Sequence, residues 1–320
     1  MSDIEKIVQD YYNAYPLPDL SDPEKANKMF EYFVNELAEM GISTSWLQGK
    51  RILVIFAGTG TQVIPVSWYA HEVIAVDIAE RALQELEKNL KKYGKASSTV
   101  RIIKASIYEL NLNAESFDLI LAPGGLHHTK DPAEAFYKIP GLLKKDGYLF
   151  FSVYNNVGLL FYRFKIWLLD VLFGKSTLQN TTKRINFARK IYRDRRNTIS
   201  LVDSWANVHI RYVDLNEILH WLKNSKMKMI GIRAPVSSHD FLIQLYEKGT
   251  SSTDFRLLEY CVNGMLRIMK PYIRKNFNKW KIEHVPSSVH TMNCSKIRFI
   301  QFLRLLSGRG NIHYLAQKSE

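Results

Sequence analysis

Three short stretches carry residue types that can do chemistry together: the turn Ala57-Gly58-Thr59-Gly60, the acid Asp77, and the loop Pro123-Gly124-Gly125-Leu126-His127-His128. A turn without bulky side chains lets a ligand approach the backbone. Asp77 follows Gly60 by 17 residues, and a carboxylate there can accept hydrogen bonds from both hydroxyls of a ribose. His127 and His128 bring imidazoles whose ordinary pKa, about 6.5, suits a general base or a hydrogen-bond orienter. No metal site is expected, because adjacent histidines point in different directions and no third ligand is spaced nearby.

The elements that must position these residues are legible from hydrophobic patterning. From Lys50 onward, short apolar runs alternate with helical patterns, the signature of a parallel α/β sheet. Strands are expected at Arg51–Phe56, Val73–Asp77, Val100–Lys104, Phe117–Ala122 and Tyr148–Tyr154, with helices at about 61–70, at Ala79–Tyr93 and after Asp131-Pro132. Ahead of the sheet, Asp22-Pro23-Glu24 opens a helix that Gly41 closes. Tyr11 to Pro18 reads as an aromatic-proline segment too stiff for a helix interior. Residues 157–200 read as one or two aromatic and basic helices. Then come a helix at Asp214–Ser225, a strand at Met227–Arg233, a mostly helical stretch at 254–307 and a last strand at Asn311–Gln317.

In such a sheet, ligands bind beyond the carboxyl ends of the strands where the strand order reverses. The turn, the acid and the 123–128 loop all fall there, which points to a nucleotide or nucleoside. Spacing alone does not separate NAD from S-adenosylmethionine. A pyrophosphate fingerprint needs a third glycine three residues after Gly60, and that position is Val63; S-adenosylmethionine has no phosphate to place there.

The stretch Arg51 to Tyr154 resembles the class I S-adenosylmethionine-dependent methyltransferases, in particular the type 11/12 groups. Ile52 to Gln62 is similar to their first motif, Ile74 to Ile78 to their ribose-binding strand, Phe117 to Pro132 to their fourth motif, and Leu142 to Leu149 to the turn before their fifth strand. Tyr11 to Leu20 looks like the aromatic-Pro lead segment of one subgroup, and Asn311 to Lys318 like its closing strand. The resemblance implies an α/β, Rossmann-like sheet of six parallel strands plus one antiparallel, and S-adenosylmethionine as cofactor. It places that cofactor among Phe56, Ala57, Gly58, Thr59, Gly60, Asp77, Ile78, Ser106, Ile107, Pro123 and Gly124, with His127 and His128 facing the methyl group. Two departures stand out. Phe56 occupies the usual place of the first glycine, where its ring is expected to crowd the methionine portion. Ser106 stands where an Asp commonly receives the adenine amino group.

The chain divides into a helical cap (1–49), the cofactor-binding core (50–155), a helical, basic substrate or lid insertion (156–212) and the remainder of the sheet with a helical insertion (213–320). Of 44 basic and 31 acidic residues, the first 150 positions hold 16 and 20, so the second half is strongly cationic. That asymmetry favours an anionic acceptor or surface. The insertion joins apolar residues (Leu159, Leu160, Phe161, Phe164, Trp167, Leu168, Leu172) to a basic cluster (Lys183, Arg184, Arg189, Lys190, Arg193, Arg195, Arg196). It reads either as packed lid and solvated face or as a pocket for an anionic or lipid-like small molecule, the latter also compatible with peripheral membrane contact. DNA is not expected, and RNA stays open without an RNA-binding module. The alternatives to a small-molecule methyltransferase are a catalytically degenerate binding protein and an enzyme acting on RNA. Cys261 and Cys294 read as reduced thiols. The start of the chain lacks an apolar leader and the stretch Val157–Phe173 is broken by charges, so a cytoplasmic protein is expected.

Overall fold

The computed structural model describes residues 1–95, 99–157, 159–233 and 311–319. The expected helical stretch 254–307 and both cysteines lie outside the described residues. In chain order the elements are α1 (Asp3–Ala14), α2 (Pro23–Glu39), α3 (Thr44–Leu47), β1 (Arg51–Ile55), α4 (Val63–Ser67), β2 (Glu72–Asp77), α5 (Glu80–Tyr93), β3 (Thr99–Lys104), β4 (Phe117–Ala122), α6 (Pro132–Tyr137), β5 (Leu143–Tyr154), α7 (Leu160–Phe173), α8 (Thr181–Ile191), α9 (Thr198–Trp205), α10 (Leu215–Asn224), β6 (Met227–Arg233) and β7 (Asn311–Lys318).

The strands form one seven-stranded sheet in the order β3-β2-β1-β4-β5-β7-β6. All neighbours from β3 to β5 pair in parallel, while β7 pairs antiparallel with both β5 and β6. Six strands thus run one way and β7 alone runs the other, as expected of the resemblance. The runs in β1, β2 and β4 are almost wholly buried, because helices cover both faces of the sheet. On one face Phe33 and Leu37 of α2, Val63 and Val66 of α4, and Leu83 and Leu86 of α5 pack on Ile52, Val54, Val73 and Leu119. On the other, Ala135 and Phe136 of α6 and Ile218, Trp221 and Leu222 of α10 pack on Leu53, Ile55, Ile120 and Phe151.

A separate cluster joins α1 to the insertion: Tyr11 meets Leu169, Ile185, Ala188, Leu201, Val202 and Trp205. The insertion holds three helices rather than one or two. Gly174 ends α7 in a left-handed conformation (φ 77°). The Asn180 amide then donates to the carbonyls of Phe173 and Lys175, and Asn197 caps α9 through the amide of Ser200. Arg184 of the basic cluster is fully buried and binds these helices together. It donates to the Trp205 and Gly174 carbonyls and to Asp170 Oδ1, so it is not free for a ligand.

Four boundaries differ from the sequence reading, the first being β5, which starts at Leu143 rather than Tyr148. Strand β1 stops at Ile55 because Phe56 adopts a left-handed conformation (φ 61°). The helix after the glycine turn is only Val63–Ser67. Tyr11 to Ala14 are helical, since α1 is nucleated upstream by a capping box in which Ser2 and Glu5 satisfy each other's backbone amides; the proline restriction takes hold only at Pro16. No helix among the described residues is long and apolar enough to cross a membrane.

Candidate active site

Strand order reverses between β1 and β4, and a cavity of about 620 Å³ opens there. Its floor is made by the tips of the strands. Asp77 ends β2, and its two carboxylate oxygens accept from Gly58 N (2.8 Å) and Ala79 N (2.9 Å). These bonds fix the carboxylate across the mouth of the glycine turn and leave each oxygen a further lone pair. Burial nonetheless pushes the Asp77 carboxyl above its usual range. Gly124, after β4, is held by a bond from its amide to Ser152 Oγ of β5 (2.8 Å) and has φ 75°. A side chain at Gly124 would meet nothing within 4 Å, so the backbone there faces open space.

Of the expected cofactor residues, Phe56, Ala57, Gly58, Asp77, Ile78, Ser106, Ile107, Pro123 and Gly124 line this one cavity. Thr59 and Gly60 do not. Thr59 turns to the lead segment, its amide donating to the Leu17 carbonyl (3.1 Å) and its hydroxyl to that of Pro18 (2.6 Å). Gly60 is a packing glycine: a Cβ there would stand 2.6 Å from Leu86 Cδ1. Phe56 is half-buried and borders the cavity. Its ring occupies the space that a side chain at Gly125 would fill and packs against the core cluster under α6. The left-handed backbone costs about 1 kcal/mol, which packing of the half-buried ring against the core offsets.

The histidines part company. His127 is buried away from the cavity, its ring stacked on Tyr154 (centroids 4.0 Å apart) with neither nitrogen hydrogen-bonded. Burial and the adjacent His128 hold its pKa well below the ordinary value. His128 lines the cavity. Its Nδ1 lies 2.7 Å from the His209 carbonyl; a carbonyl only accepts, so Nδ1 carries the proton and Nε2 is left as an acceptor. Burial, partly opposed by that bond, pushes the imidazole down to about 4.

Around His128 stand Arg196 of the expected basic cluster, Tyr12 of the aromatic-proline segment, and polar groups the sequence reading did not single out. Tyr12 of α1 packs edge-on against it at 5.8 Å, and Tyr154 lies beyond. Arg196, Asn197, Ser200, Asp203 and Ser204 line the same end. Burial pushes the Asp203 carboxyl up, against the pull of Arg196. Arg196 is itself fastened to Asp194 (2.6 Å). It is the one member of the basic cluster that lines the cavity. Lys183, Arg189, Lys190, Arg193 and Arg195 are exposed elsewhere. The apolar residues of α7 also stay outside: Leu160, Phe164, Trp167 and Leu172 are about half-exposed and none lines the cavity, so they do not form the apolar pocket that the sequence reading allowed.

The family described as "Methyltransferase domain" matches residues 54–151, from mid-β1 to mid-β5. That match covers about a third of the chain, the same stretch that resembles the class I methyltransferases. Across 110 residues the chain is 29% identical to a ubiquinone biosynthesis O-methyltransferase of Thiobacillus denitrificans, covering 34% of this chain and 47% of that protein. Across 124 residues it is 30% identical to an uncharacterized protein of Haemophilus influenzae, covering 37% and 49%. The chain thus spans about half the length of these relatives. Among solved structures it is similar to the [4+2]-cyclase SpnF, with a TM-score of 0.49 at 13% identity over 99% of this chain and 94% of that one. The matched segment supplies the strand-tip end of the cavity and His128. Tyr12, Arg196 and Asp203 come from outside it.

Proposed function

We propose that this chain is an S-adenosylmethionine-dependent methyltransferase acting on a small polar acceptor. The observation that carries the reading is Asp77, held open by Gly58 N and Ala79 N in a cavity that also contains His128. The residues present suit the cofactor. Asp77 can hold the ribose diol, Ile78, Ala82 and Ile107 form apolar walls for the base, and the open backbone at Gly124 leaves room for the amino-acid portion.

Bound there, S-adenosylmethionine would supply a methyl group activated by its sulfonium; the protein's task is alignment and exclusion of water. Glu5, Val8, Tyr12, Leu17, Pro18 and Asp19 line the cavity from above, so the segment 1–20 covers the reacting partners. His128 stays neutral at physiological pH, and its Nε2 can accept a hydrogen bond from a hydroxyl or amine of the acceptor. With so low a pKa it orients the nucleophile more than it strips a proton. That suits an acceptor atom that is already nucleophilic or readily ionised. Arg196 gives an anionic group of the acceptor a place to bind, and Asp203 and the two tyrosines give its polar groups hydrogen-bonding partners.

The test is methyl transfer. Incubated with methyl-labelled cofactor and a polar small-molecule extract, the wild-type chain should move label to a new species and release S-adenosylhomocysteine, and Asp77→Ala should not. Label that stays on the cofactor with every polar and apolar fraction would contradict the reading.

A further inference from the structure

The end of the cavity beyond Asp77 holds a carboxylate that the sheet does not supply. Asp77 pairs with Lys104 across the β2–β3 ladder, so Ser106 lies two residues past that pair, one strand spacing (about 4.8 Å) further from β1. Between them the walls are apolar: Ile78, Ala82, Ala105 and Ile107. A nucleoside whose sugar sits on Asp77 and whose tail points toward Gly58 and Gly124 must lay its base along this slot. The base edge then arrives at Ser106.

Ser106 meets it only with an uncharged oxygen. Its hydroxyl donates to Glu5 Oε1 in a short bond and accepts from Tyr108 N (3.2 Å), which leaves one lone pair. The group facing the slot is Glu5, carried in by α1 and only 7% exposed. Its other oxygen accepts from Ser2 N (2.7 Å), and both oxygens keep a lone pair. Burial pushes this carboxyl up, but the bonds from Ser106 and Ser2 outweigh it and hold the group below its ordinary value, hence ionised and able only to accept.

We infer that Glu5 selects the base: it receives the exocyclic amine of the cofactor's purine, so that α1 reads the cofactor as well as covering it. This rests on the cofactor reading above and adds the residue that fixes purine identity. An ionised acceptor at that edge welcomes an amine and repels a carbonyl oxygen. A hypoxanthine base should therefore be refused.

The test is calorimetric titration of the full chain with S-adenosylhomocysteine and with its inosine counterpart, in which the amine is replaced by oxygen. Wild type should prefer the adenosine form by about 10- to 100-fold, the range of one charge-assisted hydrogen bond. In Glu5→Gln the preference should fall at least about tenfold, because the amide can turn its N–H toward the carbonyl. Gln also serves at this position of a capping box, so α1 is retained. Moving the acid to the sheet in Glu5→Gln/Ser106→Asp should restore the preference. An unchanged ratio in Glu5→Gln would overturn the inference while leaving the cofactor reading intact. Wild type that binds neither ligand would overturn both.

Discussion

The two ends of the cavity are built on different principles. At one end, Ala57, Gly58, Asp77, Ile78, Pro123 and Gly124 sit at the tips of strands whose register is fixed by ladder bonds. At the other, Tyr12, His128, Tyr154, Arg196 and Asp203 come from α1, a single 3₁₀ turn, the end of β5, the loop before α9, and α9 itself. The first end is specified locally, since each residue lies at or within a few positions of the end of a buried strand. The second depends on how helices dock, as in the contact of Tyr11 with Val202, whose carbonyl accepts its hydroxyl at 3.0 Å. The strand-tip end should therefore respond to substitution in binding of the cofactor, and the helical end in turnover.

The largest effect sharpens that contrast. Asp77→Ala removes the carboxylate at the β2 tip and should weaken S-adenosylhomocysteine binding by about 100-fold, the worth of paired hydrogen bonds to a charged group, as calorimetry would read. Next is Gly125→Ala, whose new Cβ would fall within the Phe56 ring. It should cost about 1–3 kcal/mol in denaturant unfolding. Combined with Phe56→Gly, that cost should shrink, because the two positions share one volume.

His128→Gln should lower turnover by about tenfold at unchanged cofactor affinity, a loss of acceptor orientation alone. It also changes the response to acid. Burial holds His128 near 4 in the folded chain, whereas the unfolded chain protonates its histidines near 6.5. Between those values the unfolded state binds more protons, so stability falls as pH is lowered from 6.5 toward 4. The melting temperature of His128→Gln should fall less over that window than that of wild type. A smaller effect is expected of Thr59→Val, which deletes the bond to Pro18. It should cost about 1 kcal/mol and quicken hydrogen exchange in residues 3–14 without altering the chemistry.

How much of this was legible in the sequence follows the same division. Strand runs such as Ile52–Ile55 and Val73–Val76 are buried on both faces and carry little else, so strand positions and the Asp77 site could be read directly. Phe56 could not. Whether a ring blocks or fills depends on Gly125, 69 positions away, and only the fold brings them together. The two histidines looked equivalent because adjacency says nothing about which one faces a cavity. Glu5 left one signal, the Ser2-to-Glu5 spacing of a capping box, but nothing local told that its carboxylate would also reach Ser106, 101 positions on. Arg196 was named only as one of seven basic residues and Asp203 not at all, because the docking of this helical segment, not its composition, puts them at the cavity.

The most direct measurement is titration of the wild-type chain with S-adenosylhomocysteine. Saturable binding at one site per chain is expected, abolished or weakened about 100-fold by Asp77→Ala. No heat and no thermal shift at millimolar ligand, or full binding retained in Asp77→Ala, would contradict it.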